Sequence, residues 1–132
     1  MKPRLLVIEL HHLGDAVVSL PFVRGASAAF EVHILCRPAS AEVYRLLENP
    51  PVLHEWTPPW TEETSVSPLE SLRAANAKGR KLADQNFTTT VCAWADPRTT
   101  LLAAATGATQ RIGFPTNRTN FYAPSAAGRQ SR

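Results

Sequence analysis

The residues after the first apolar run carry the side chains best suited to chemistry. The stretch ELHHLGDAVVSLP starts at Glu9 and places two histidines, a glycine and an aspartate directly after LLVI. In open α/β sheets, ligands bind in the crevice outside the carboxyl ends of the strands. If LLVI is a strand and the residues after Asp15 form a helix, this stretch lies where such a protein binds its ligand.

Asp15 has two possible roles. As a helix cap, its carboxylate would accept backbone N–H groups and face the positive end of the helix dipole, which involves no catalysis. As a general base, it would lie at the mouth of the crevice, with Gly14 allowing a sharp turn and close approach of a ligand. The residue types alone favour the cap.

His11 and His12 do not predict a metal site, because adjacent residues in a turn point apart and no third ligand follows at a recognisable spacing. Either histidine could hydrogen-bond a substrate or simply face solvent. His33 and His54 lie in strand-like runs, where a histidine is more often structural than a ligand.

The segment CAWADPR offers two further candidates at the end of another strand-like run. Trp94 could stack on a sugar or fill the edge of the core, and filling the core is the commoner role. Arg98 opens a helix, where its charge opposes the helix dipole, which hints at an anionic partner.

Apolar patterning predicts the elements that position these residues. Strand-like and helix-like runs alternate, which predicts parallel pairing through right-handed crossovers and a Rossmann-like three-layer α/β sandwich. Pro21 predicts either a kink or a loose first turn in the first helix. The predicted strands are Leu5–Leu10, Glu31–Cys36, Val52–Trp56, Phe87–Ala93 and Gln110–Phe114, and the predicted helices are Gly14–Ala29, Ala39–Leu47, one starting at Pro68, and Arg98–Thr106. The domain is expected to span 1–122, followed by an irregular tail, 123–132.

Composition narrows the function classes. The chain has 132 residues, 44% hydrophobic and 19% charged, which is typical of a single globular domain. Its 14 basic and 11 acidic residues are scattered, so no patch for nucleic acid is predicted. No apolar run approaches the length of a membrane span, and Glu9 interrupts the signal-like start MKPRLLVI. The two cysteines predict buried free thiols in a reducing cytoplasm.

Phosphate-binding fingerprints are missing from the sequence. The turn after the first strand has one glycine in place of Gly-x-Gly-x-x-Gly, and no Walker lysine follows. A dinucleotide or ATP site of the usual kind is therefore not expected in this chain.

Taken together, three segments resemble the amino-terminal domain of glycosyltransferase family 9, the ADP-heptose:lipopolysaccharide heptosyltransferases. They are LLVIELHHLGDAVVSLPFVRG, FEVHILCRPASAEVYRLLENPPV and LLAAATGATQRIGF, in the order and spacing of the family. The resemblance implies one half of a two-domain GT-B enzyme. In such enzymes the amino-terminal half receives the lipopolysaccharide-core acceptor and the carboxyl-terminal half binds the ADP-sugar. The resemblance also implies that transfer inverts the anomeric centre without a metal, with the aspartate of the GD motif, here Asp15, as the proposed base.

The sequence also departs from the family. Glu9 stands where Lys or Arg is common, His11 and His12 replace small hydroxyl residues, and Cys92–Trp94 replaces Asp-x-Gln. Glu9 would disfavour a strongly anionic acceptor. Gly14 and Asp15 carry over cleanly, and Arg98 more loosely.

No second Rossmann-like unit follows Phe114. The ADP-sugar donor is therefore expected to bind a second domain outside these residues, and the isolated chain is not expected to transfer sugar. The chain is either a piece of a longer enzyme or a natural half-molecule. The alternative function is a non-catalytic α/β binding or interaction module that kept the fold. We also expect a cytoplasmic location, with possible attachment to the inner face of the bacterial inner membrane. A homodimer formed through the exposed interdomain surface is a further expectation.

Overall fold

The computed structural model describes residues 2–11, 13–61, 66–94 and 96–113. Each strand and helix predicted from the sequence is present, with ends shifted by a few residues. The strands are β1 Arg4–Glu9, β2 Glu31–Cys36, β3 Val52–Glu55, β4 Thr89–Cys92 and β5 Gln110–Ile112, and the helices are α1 Leu13–Ala26, α2 Pro38–Tyr44, α3 Pro68–Leu82 and α4 Pro97–Ala105. Phe114, the predicted domain limit at 122 and the predicted tail lie outside the described residues.

The five strands form one parallel sheet in the order β3-β2-β1-β4-β5. The chain moves outward from β1 to β2 and β3, then returns to the other side of β1 for β4 and β5. The strand order therefore reverses between β1 and β4, and a crevice opens at the carboxyl ends of such strands. The predicted Rossmann-like α/β sandwich is confirmed.

β1 is covered on both faces, which explains its continuous apolar sequence. Leu5 and Val7 pack in the core cluster that also contains Ala16 of α1 and Tyr44 of α2. The alternate residues of β1 pack in a second cluster with residues of α3 and α4; they are Leu6 and Ile8. Side chains of a strand alternate between faces, so β1 joins two separate cores.

Capping side chains, prolines and a glycine determine where the helices begin and end. Ser67 caps α3 by accepting a hydrogen bond from the Glu70 N–H at 3.2 Å, and Pro68 occupies the first turn, where no N–H is needed. Gly107 has a φ of 80° and follows the end of α4, as its sequence position predicts. The first turn of α1 is helical and the helix runs through Pro21, so the expected loose turn is wrong.

The histidines and cysteines of the core are structural, as predicted. The His33 ring lies between Glu31 and His54, with nitrogen atoms 2.7 Å from Glu31 Oε2 and 3.0 Å from His54 Nε2. Cys36 and Cys92 are free and buried, and burial raises the pKa of each thiol to about 12. Within the described ranges, no helix is long and apolar enough to cross a bilayer.

α3 and α4 approach each other closely at Gly79. A Cβ built there would overlap the Leu102 carbonyl oxygen and lie 2.6 Å from Ala105 Cβ. Neither group can move without shifting the α4 backbone.

Gly79→Ala is therefore expected to destabilise the chain by about 1–3 kcal/mol through overpacking, although alanine has the higher helix propensity. Gly25→Ala is the matched control, because a Cβ at Gly25 meets nothing within 4 Å. Urea unfolding should show the Gly25 variant at least as stable as wild type. Equal stability of the Gly79 variant and wild type would contradict the close approach of the two helices.

Candidate functional site

The candidate site lies at the carboxyl ends of β1 and β4. The Ala93 N–H donates a hydrogen bond to the Ile8 carbonyl at 3.1 Å, which extends the pairing of the two strands beyond β4. This contact brings the segment after β4 beside the loop between β1 and α1. Most of the residues singled out from the sequence converge there, but His12 lies outside the described residues.

The rings of His11 and Trp94 contact each other across the crevice. Their centroids are 5.3 Å apart with the planes inclined by 50°. Trp94 is 47% exposed, so the expectation that it fills the core edge is wrong. We call this pair the His11–Trp94 platform, since it presents an aromatic surface to solvent at the switch point of the sheet.

Asp15 is the third residue of α1 and is half-buried. It is not the residue that precedes the helix, and a carboxylate in the first turn gains from the positive end of the helix dipole. Gly14 also lies within the helix without a positive φ, and a Cβ there would meet nothing within 4 Å. The sharp turn that Gly14 was expected to allow is therefore not present.

Glu9 is fully buried beneath the loop, with 0% exposure. Its Oε2 accepts a hydrogen bond from the His11 N–H at 2.9 Å. Burial raises the pKa of Glu9, and the negative charge of Asp15 adds to the shift, against the opposing effects of the His11 N–H, Ser40 and Arg37. A substrate cannot reach this carboxyl in the structure, so the expectation of direct contact with Glu9 is corrected.

Arg98 has its anionic partner within the chain. The Arg98 guanidinium donates to both carboxylate oxygens of Asp96, at 3.0 and 2.8 Å, and the Arg98 N–H also donates to Asp96. Although burial alone would raise it, these bonds and the Arg98 charge lower the pKa of Asp96. The argument that Arg98 requires an external anion therefore fails.

Tryptophan residues continue from this ion pair along the same edge. The Arg98 guanidinium lies 4.8 Å from the centre of the Trp60 ring, which packs edge-on against Trp56. Lys78 lies 5.6 Å from the centre of the Trp56 ring. Cations held over aromatic faces in this way order the edge of the crevice.

Among the residues that sequence reasoning missed, Asp96 and Arg37 left a signal in the sequence. Asp96 directly precedes a proline, the pattern of a helix cap followed by Pro at the first helical position. Arg37 follows β2, whose last residue pairs with Glu9, and donates to the His11 carbonyl at 3.4 Å. Because β1 and β2 are parallel and in this register, the residue one position beyond β2 is expected at the same edge of the sheet as Glu9.

The arrangement combines an aromatic surface with hydrogen-bonding groups, the two features that binding of a hydroxylated ligand uses. It offers an exposed aromatic platform and a carboxylate at a helix start, while the arginines at this edge, Arg37 and Arg98, are engaged within the chain. Among the described residues, no group of three or more His, Cys, Asp or Glu side chains could hold a metal ion.

Comparisons with known proteins support the fold. No family model matches the sequence, and no curated protein matches it. Solved structures do match, among them a glycosyl transferase of family 9 from Veillonella parvula, with 17% identity and a TM-score of 0.66, and the E. coli heptosyltransferase WaaC with ADP, with 16% identity and a TM-score of 0.62. They cover 86% and 94% of this chain, but the chain covers only 33% and 39% of theirs. The chain thus spans about a third of the length of these glycosyltransferases and shares the fold of that part.

Glu9→Gln is expected to raise stability at neutral pH and to have little effect in acid. A raised folded pKa means that the folded state favours the protonated carboxyl, so the stabilising contribution of Glu9 is complete below its unfolded pKa. That contribution is lost as pH rises through the folded pKa. The difference in the free energy of unfolding between variant and wild type should grow by about 1.4 kcal/mol for each pH unit that separates the folded and unfolded pKa values of Glu9.

Urea unfolding at about pH 4 and about pH 7 measures this gap. Glu48→Gln, at an exposed glutamate, is the control and should show no comparable change. A gap that stays constant with pH would show that Glu9 keeps an ordinary pKa.

Proposed function

We propose that this chain is the acceptor-side domain of a glycosyltransferase. The whole enzyme would transfer heptose or a related sugar from an ADP-sugar to an acceptor of lipopolysaccharide-core type. The observation that carries the proposal is the placement of Asp15 and the His11–Trp94 platform at the β1–β4 switch point. The likeness in fold to two glycosyltransferases, one of them solved with ADP, supports it.

Asp15 is the proposed general base. As the acceptor hydroxyl oxygen bonds to the anomeric carbon, the bond from that carbon to the diphosphate breaks and ADP leaves with the electron pair. Asp15 takes the hydroxyl proton, a role that requires a carboxylate within hydrogen-bond reach of the acceptor. The half-buried position of Asp15 at the start of α1 is compatible with that reach. Gly14, His11, His12 and Arg98 are proposed to line the acceptor site, and no metal is required.

The platform is proposed to bind the apolar face of the acceptor sugar. Trp94 presents a rigid, half-exposed ring, and aromatic rings supply large contact area together with a defined geometry. In the family that the sequence resembles, Lys or Arg is common at this position, and Glu9 replaces it. The Glu9 carboxyl is buried, so it places no charge on the surface of the crevice. A neutral acceptor unit therefore fits better than a strongly phosphorylated one.

The donor is proposed to bind a second Rossmann-like domain facing the carboxyl edge of the sheet. The proposal implies a cytoplasmic enzyme, in agreement with two free, buried thiols. Attachment to the inner face of the inner membrane would follow from a lipopolysaccharide-core acceptor.

The second candidate is a non-catalytic interaction module, and the surface of α1 favours it. α1 exposes several large apolar side chains; they are Leu13, Val17, Val18 and Phe22. A groove of about 430 Å³ lies beside it, over β4 and β5, lined by residues that include Pro21, Phe22, Phe30, Val91 and Ile112. Exposed apolar patches of this kind mark interaction surfaces, which also suits a second domain or a second copy of the chain.

Asp15→Asn is expected to lower turnover of ADP-heptose by about a hundredfold or more once a donor-binding domain is supplied, since general-base catalysis contributes that much. Acceptor binding should change little. In the same assay, Trp94→Leu should raise the acceptor KM with a smaller effect on kcat, because it removes binding and leaves the base.

The isolated 132-residue chain is the negative control and should show no turnover. Turnover by that chain alone would contradict the need for a second domain. Full activity of the Asp15 variant would remove Asp15 from the mechanism.

Val18→Glu tests the interaction surface. Val18 is 78% exposed, so the charge should leave the fold stable while weakening any association through α1. Sedimentation of the wild-type chain should show a dimer that the variant dissociates. Leu46→Glu, at an equally exposed leucine after α2, is the control. A wild-type chain that is monomeric at its highest soluble concentration would exclude the homodimer.

A further inference from the structure

We infer that Glu9 is a positioning residue that holds the His11–Trp94 platform in place from beneath. Its buried carboxyl group binds the His11 N–H while Arg37 binds the carbonyl of the same residue. Glu9 thereby acts on the crevice through His11 and never touches a ligand. That the platform binds sugar rests on the proposed function, whereas the positioning role does not.

The first support is the geometry around His11. The N–H of His11 donates to Glu9 Oε2 at 2.9 Å, and its carbonyl accepts from Arg37 Nη1 at 3.4 Å. Glu9 ends β1 and Arg37 directly follows β2, at adjacent positions of the same register. Both backbone polar groups of His11 are therefore held by residues at the carboxyl ends of β1 and β2.

The second support is the burial of Glu9. Burying a carboxyl group is unfavourable unless it is well hydrogen-bonded, and an apolar residue would pack here without that cost. Glu9 lies on the α1 and α2 side of the sheet, 0% exposed, and its Oε1 has no partner of hydrogen-bond geometry in the described part of the chain. The hydrogen bond from the His11 N–H, together with Ser40 and the charge of Arg37, offsets the unfavourable burial of this carboxyl.

The third support is the platform itself. The His11 ring meets Trp94 at 5.3 Å, and Trp94 is otherwise about half-exposed. Because the His11 ring packs against this half-exposed indole, a change in the position of His11 changes what the indole packs against. Displacement of the His11 backbone would separate the two rings.

The charged and polar groups that face Glu9 come from three elements. Asp15 lies on α1, Arg37 lies between β2 and α2, and Ser40 lies on α2. Oε2 accepts the His11 N–H whether or not the carboxyl carries a proton, because a protonated carboxyl retains acceptor capacity. A glutamine side chain keeps such an oxygen, while a leucine of similar size does not.

The test compares Glu9→Gln with Glu9→Leu by NMR on the labelled chain without sugar. In Glu9→Leu, the His11 amide should exchange with solvent about fivefold faster or more, and the cross-peaks between the His11 and Trp94 rings should weaken. In Glu9→Gln, both should stay as in wild type. Glu48→Leu removes an exposed carboxyl with the same change in charge and should alter neither signal.

Contacts between the His33 and Phe87 rings, 5.0 Å apart in the core, are the internal reference for a global effect. The inference is overturned if Glu9→Leu keeps the wild-type His11 exchange and ring contacts, or if Glu9→Gln loses them as Glu9→Leu does.

If Glu9→Leu does not fold, the inference is tested by a pH titration of the wild-type chain followed by NMR. The His11 amide nitrogen shift should then titrate with the same midpoint as the Glu9 carboxyl carbon, and a His11 amide that does not move at that midpoint overturns the inference. Acceptor binding is measured separately. A loosened platform with unchanged sugar binding would count against the proposed function and leave the positioning role intact.

Discussion

The burial of β1 on both faces is the constraint on which the rest of the structure depends. β1 pairs with β2 on one side and β4 on the other, so its backbone polar groups are committed to the sheet. Its side chains are divided between two cores. The chain can leave this position only at the carboxyl edge, and the residues that follow β1 must form the floor of the crevice there. The chemistry of the site is thus set by where the most buried strand ends.

The two helical layers are not equivalent. α3 and α4 pack so closely that a glycine is required between them, and they cover their face of the sheet. On the opposite face, α1 leaves β4 and β5 partly uncovered, and its own outer surface is apolar. In the observed strand order, right-handed crossovers place α3 and α4 on one face of the sheet and α1 and α2 on the other, so the described elements leave this region over β4 and β5 open.

Much of the fold could be predicted from the sequence, because its buried strands are short and apolar and its helices are bounded by Pro68, Gly107 and similar residues. The site was less predictable. The orientation of Trp94 depends on its contact with His11 across two loops, which no local pattern encodes. The burial of Glu9 depends on the packing of α1 and α2 over the end of β1, and a glutamate at a strand end usually reads as exposed. The partner of Arg98 is Asp96, only two residues away, and its position directly before Pro97 marks it as a helix cap. The expectation of an external anion for Arg98 left this neighbour out.

The two buried thiols allow local opening of the chain to be measured. Cys36 belongs to the core beneath α1 and α2, and Cys92 belongs to the core beneath α3 and α4. A thiolate is the form that alkylating reagents attack, and burial suppresses it at both positions. Modification of either cysteine under native conditions therefore reports a transient opening of the layer that covers it. The relative labelling rates of the two cysteines would distinguish a chain that loosens one layer at a time from one that opens as a unit.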